Sequence, residues 1–225
     1  MYGYYDMPYI VIAVVSLLMG LLTQGYINKA YRKWSQVPSG LSGTGADVAR
    51  RMLDQGGASE VGITQIDGTL TDYYDPRDNM LHLSHDNYER GSVASVAVAC
   101  HEAGHAIQNA TGYSLMRFRT ALVPAVNFTS QTWILIFMAG IFFNMTGLLK
   151  LAVAFFAVTV LFQLVTLPVE IDASRRALAY LGTVSDIDHA GAKEVLTAAA
   201  LTYVASALTS IMQLVYYMGR TRDSD

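Results

Sequence analysis

The chain has 225 residues, of which 52% are apolar and only 15% charged, with a formal net charge of −3. Soluble domains carry about 25% charged residues, so part of this chain is expected to face lipid. The acidic balance also leaves no basic stripe of the kind that tracks phosphates, which argues against a nucleic-acid partner. The length accommodates one ordinary domain, or several membrane helices with a small domain. A single cysteine, Cys100, excludes an internal disulfide and fits a reducing compartment.

In chain order, residues 7–28 are free of charge and long enough to cross a bilayer. No basic residue precedes this stretch, and Lys29, Arg32 and Lys33 follow it, so it reads as an uncleaved anchor. Residues 29–119 have soluble composition. Ala46–Gln55 is expected to be a helix stopped by Gly56-Gly57. Val61–Ile66 and Thr69–Tyr74 read as strands joined by a hairpin turn at Asp67-Gly68. A second turn at 75–79 leads into a third strand over Met80–Ser84. This is either a small structural sheet or one whose edge strand pairs with an extended peptide.

Residues 92–110 are expected to form a helix ended near Gly112. It carries His101-Glu-Ala-Gly-His105. Spacing i, i+4 puts both imidazoles on one helix face, where they can bind a single zinc ion. Glu102 beside them can take a proton from a water held by the ion. Composition alone predicts about 0.002 occurrences of this pattern in such a chain. Gly104 inside the motif costs about 1 kcal/mol of helix stability relative to Ala, which implies a close approach by another element. Cys100 points elsewhere on the helix and reads as core, and His82 and His85 read as surface residues.

Between Arg119 and Glu170 the only charge is Lys150, and two spans are expected at 121–143 and 147–168, turning at 144–147. Pro168 is expected to break or re-aim the second of them. Residues 169–194 then return to the aqueous side, and 195–219 form a fourth apolar helix that either spans or packs inside the protein. A catalytic zinc needs three protein ligands and an open position. Glu170, Asp172, Asp186, Asp188, Glu194 and His189 are the downstream candidates. Glu170 is the strongest, because a helix beginning there places Ala173, Ser174 and Ala177 on its own face and can lie close to the His101 helix. Two crossings separate His105 from Glu170, which returns both to one side of the membrane. Asp172 is the rival ligand, and Tyr203 or His189 are candidate oxyanion donors.

Positive charges near the span ends set the orientation. With the N-terminus outside, eight Lys and Arg lie inside and three (Lys150, Arg220 and Arg222) outside, which puts residues 29–119 in the cytoplasm.

The run Leu83-Ser84, Ser92-Val-Ala-Ser-Val-Ala-Val-Ala99, His101-Glu-Ala-Gly-His-Ala-Ile-Gln108, Pro168-Val-Glu-Ile-Asp-Ala-Ser-Arg-Arg-Ala177 and Ala198-Ala-Ala-Leu-Thr-Tyr-Val-Ala205 resembles the bacterial YugP-type neutral zinc metallopeptidases over most of the chain. A wider resemblance is to HtpX-like membrane gluzincins. It implies Zn2+ held by His101, His105 and Glu170, with Glu102 as base, in the bacterial cytoplasmic membrane. Those proteins carry an Asp where Ser174 stands here. Asp172 is the neighbouring candidate to take its positioning role, and the Ser174 hydroxyl polarises imidazole less than a carboxylate would.

The expected architecture is therefore mainly α. About four transmembrane helices (7–28, a hairpin within 120–168, and 195–219) accompany a small α+β cytosolic zincin-like domain in 29–119 and a cytosolic helix in 169–194. The expected function is endopeptidase action on peptides or membrane proteins, restrained by an occluded cleft or a regulatory membrane partner. The alternatives are a site-2-like intramembrane protease and a non-enzymatic zinc scaffold. The intact Glu102 argues against the scaffold, and the charges at Glu89, Arg90, Arg117 and Arg119 around a short apolar run argue against the intramembrane site.

Overall fold

A computed structural model describes residues 6–184 and 187–222. In chain order the elements are α1 (Met7–Trp34), α2 (Gly45–Gln55), β1 (Gly62–Ile66), β2 (Tyr73–Asp75), β3 (Met80–Ser84), α3 (His85–Glu89), α4 (Val93–Ala110), α5 (Ser114–Phe142), α6 (Thr146–Leu181) and α7 (His189–Arg222). Four of these helices, α1, α5, α6 and α7, are long and apolar enough to cross a membrane. The fourth apolar stretch thus belongs to a helix of spanning length. Contacts divide the chain into two units, and α1, α5, α6 and α7 each contribute to both.

The first unit holds the chain up to Thr23, Phe118–Leu167 and the chain from Thr202. Its outer residues are large and apolar: Leu17, Leu21, Leu135 and Val215 are all exposed, as expected where lipid replaces water as the solvent. Inside, Trp133 packs on Phe156 at 4.9 Å between ring centroids and on Tyr217 at 6.0 Å. Asp6 accepts a hydrogen bond from the Tyr216 hydroxyl and pairs with Arg220 at 3.6 Å. The start of α1 and the end of α7 therefore lie together, which is compatible with four crossings that leave both ends on one side. Asn144, at φ +53°, makes the expected turn between α5 and α6.

The second unit holds Gln24–Arg117 and Pro168–Leu201. Thr44 caps α2 by accepting from the Asp47 amide, while the Asp47 side chain accepts from the Thr44 amide. Val48, Ala49, Met52 and Leu53 form the buried face of α2 and pack on α4. In β3 the expected alternation holds: Leu81 and Leu83 are fully buried, and His82 faces outward against Asp78 and the Tyr73 ring.

Two expectations are corrected. The Asp67-Gly68 hairpin does not form. The sheet order is β1-β3-β2, with β1 parallel and β2 antiparallel to β3. The cause is Asp72, whose carboxylate accepts from the Ser84 amide (2.7 Å), the Ser84 hydroxyl and Asn87 (2.8 Å). That ties residue 72 to the end of β3, so β2 begins only at Tyr73 and the tight turn falls at 75–79, with Asn79 at φ +57°. Pro168, in turn, does not break the helix: α6 runs through it to Leu181. A proline inside a long apolar helix is tolerated where neighbouring groups re-satisfy the carbonyl it leaves without a donor. Glu170 accordingly sits inside α6 rather than at a helix start.

Candidate metal centre

Helix α4 is built to be buried. Ser92 caps it by accepting from the Ser95 amide at 3.1 Å. Gly112, at φ +69°, ends it, with the Tyr113 amide donating to the Gln108 carbonyl at 2.9 Å. Ala94, Ala97, Ala99, Ala103 and Ala106 are all fully buried, and small side chains at these positions let neighbouring elements come close to the α4 backbone. A Cβ at Gly104 would stand 2.7 Å from the carbonyl oxygen of Ala173 and 3.1 Å from its Cα. This is the close approach implied by a glycine in mid-helix: α6 lies against α4 at the motif itself.

The approach brings three ligand-bearing side chains together. The ligand atoms of His101, His105 and Glu170 lie within 4.8 Å of one another, and no other such group of three occurs among the described residues. The Nε2 atoms of His101 and His105 stand 3.2 and 3.3 Å from the same Glu170 oxygen, Oε2. The two rings meet edge to face, 83° apart. Tetrahedral zinc, with bonds of about 2.0–2.2 Å, sets adjacent ligand atoms about 3.3–3.5 Å apart. The two nitrogen-to-oxygen separations match that spacing, and two imidazoles with one carboxylate are donors that suit zinc, with a fourth position left over.

Hydrogen-bonding neighbours surround these three side chains. The Ser174 hydroxyl lies 3.1 Å from His101 Nδ1. His105 Nδ1 lies 3.1 Å from Gln108 Oε1. Gln108, fully buried, donates from Nε2 to the Val169 carbonyl at 2.8 Å and to Asp172 at 2.9 Å. Asp172 also accepts from Arg176 at 2.7 Å. Glu102, 8% exposed, follows His101 on α4.

The other sequence candidates fall elsewhere. Asp172 faces Gln108 and Arg176 rather than the ligand cluster. Asp188 accepts from the Gly191 amide, and Glu194 holds Lys33 and the Trp34 indole. His189 is exposed at the start of α7, and Asp186 lies outside the described residues. Tyr203 is 38% exposed on the part of α7 that belongs to the apolar unit. Cys100 is fully buried, which pushes its thiol well above the ordinary range and keeps it neutral. Gln108 had no role assigned from the sequence. Its only local signal is its place three residues past His105, on the same helix face.

The comparisons with known proteins give the family. The profile of a family described as "Putative neutral zinc metallopeptidase" matches residues 9–222. The chain is also 37% identical over 215 residues to "Putative membrane protease YugP" of Bacillus subtilis (strain 168), a match covering 94% of this chain and 96% of that protein. No solved structure matches it.

Gly104→Ala tests the helix contact. Alanine gains about 1 kcal/mol in helix propensity, but its methyl meets backbone, which no rotamer can relieve, and overpacking costs about 1–3 kcal/mol. The melting midpoint in detergent should fall, and zinc affinity should fall with it. A variant that melts higher and binds zinc normally would contradict the contact.

Proposed function

Because the chain belongs to the family described as "Putative neutral zinc metallopeptidase", we propose that it is a membrane-embedded zinc endopeptidase, with His101, His105 and Glu170 as ligands and Glu102 as general base. The observation that carries this reading is the convergence of two imidazole nitrogens on one buried carboxylate, beside a buried glutamate that is not itself part of the cluster. A purely structural zinc site would close the fourth position with a protein ligand and would need no base.

A bound zinc ion would supply Lewis acidity, polarising the scissile carbonyl and lowering the pKa of water toward about 7. The protein's own part is proton transfer and orientation. Glu102 accepts a proton from the attacking water and returns it to the leaving amine. Ser174 and Gln108 hold the two imidazoles from behind, so that each turns Nε2 toward the cluster. Burial of Glu170 and Glu102 excludes bulk water and strengthens each charge interaction.

The substrate class is a peptide or membrane protein, and the site faces the cytoplasm of a bacterial cell. Two observations support this placement. The basic residues favour the cytoplasmic side for 29–119, and Arg220, counted against that orientation, is engaged by Asp6. The intramembrane reading is disfavoured because α4 packs on α2 and the sheet and is not among the four helices of spanning character.

Purified full-length protein and Glu102→Gln should bind equal zinc, while cleavage of unfolded casein falls by about 10²–10⁴-fold in the variant. Zinc in both with cleavage by neither would favour the scaffold reading, and equal cleavage by both would remove Glu102 as base. For orientation, a membrane-impermeant maleimide applied to intact cells should label a cysteine placed at Asn144. One placed at Gln55 should react only after the membrane is opened. The reverse pattern would invert the topology.

A further inference from the structure

One buried amide touches both helices of the metal centre. Gln108 is fully buried, and each of its polar side-chain atoms is engaged. Its Nε2 lies 2.8 Å from a backbone carbonyl and 2.9 Å from a carboxylate, which are both acceptors. Turning the amide over would set Oε1 against those two acceptors and lose both hydrogen bonds, so the orientation follows from the chemistry of the neighbours. The oxygen must then face His105 Nδ1, 3.1 Å away. An oxygen there can only accept, so His105 carries its hydrogen on Nδ1. That leaves the lone pair on Nε2, the nitrogen that stands 3.3 Å from Glu170.

We propose that Gln108 is a positioning residue for the metal centre: it fixes the Nδ1–H tautomer of His105 and ties that ligand to the turn of α6 carrying Glu170. The tie has the right placement. Its two anchors, Val169 and Asp172, bracket Glu170 in sequence, so the amide that orients one ligand also sets the height of α6 relative to the other. Asp172 is itself held by Arg176 at 2.7 Å, and Arg176 lies over the Tyr113 ring, 5.9 Å from its centroid. The chain His105, Gln108, Asp172, Arg176 thus ends on a charge held from its own helix four residues on. Asp172 therefore serves the metal at one remove: a glutamine relays the carboxylate that usually stands directly behind a zinc histidine. His101 has a different device, the Ser174 hydroxyl, so the two imidazoles are oriented independently.

This inference rests on the reading of the cluster as a zinc site, and its test separates the two. Zinc dissociation constants are measured on full-length protein in detergent by competition with a chromogenic chelator. Casein cleavage by the wild type is recorded alongside. Gln108→Met keeps the length and burial but removes the acceptor, and it should weaken zinc binding by about 10–100-fold. Gln108→Glu combined with Asp172→Asn exchanges amide and carboxylate at constant net charge and restores an acceptor to His105 Nδ1. It should bind zinc about ten-fold more tightly than Gln108→Met. Wild-type affinity in Gln108→Met would overturn the inference while leaving the zinc site intact. Equal loss in both variants would also overturn it, because the residue would then act by packing alone. Failure of the wild type to bind zinc would overturn the zinc-site reading, and this inference with it.

Discussion

The cluster of His101, His105 and Glu170 depends on the contact between Gly104 and the backbone of Ala173. A glycine in the middle of a largely buried helix lets α6 approach until side-chain atoms on the two helices come within 3.2 Å. Two of the cluster's three side chains belong to one helical turn and are neighbours by geometry alone. The third comes from a residue 65 positions beyond His105, and only this helix contact delivers it. The alanines of α4 extend the same principle along the helix. They leave no long side chains to hold its neighbours away.

Close packing of polar ligands in a buried place demands that every polar atom have a partner, because an unpaired buried group costs about 1–3 kcal/mol. Here Glu170, at 2% exposure, stands between two imidazoles, and Gln108 satisfies a histidine, a carbonyl and a carboxylate at once. The same network that meets the desolvation cost also faces His105 Nδ1, so the proposed choice of tautomer and the stability of the helix pair would draw on the same hydrogen bonds. Helix α6 carries Glu170, Asp172, Ser174 and Arg176 within two turns, each with a different task on its neighbours.

How much of this was legible in the sequence followed the range of the interactions. The His101 and His105 pair was plain, because a helix makes that spacing local. Glu170 could be reached from the even number of crossings and the small residues Ala173, Ser174 and Ala177 on its face. Gly104 signalled a close approach without saying to what. The hairpin at Asp67-Gly68 was misread because turn propensity is local, whereas the decisive contacts run from Asp72 to Ser84 and Asn87, 12 and 15 residues away. Pro168 was read as breaking or re-aiming its helix, and the break does not occur because proline rules are written for helices in water. Gln108 stayed hidden because its role depends on which atoms of α6 face it, and spacing on α4 carries no information about that.

In the proposed site one zinc ion is held by two histidines and a glutamate, with a position left open. Zinc K-edge X-ray absorption on the zinc-loaded full-length chain tests it most directly. Four nitrogen or oxygen donors are expected at about 2.0–2.2 Å, two of them with the outer-shell pattern of imidazole, and no sulfur at about 2.3 Å. A sulfur shell, which would bring in Cys100, or a shell with fewer than two imidazoles would contradict it.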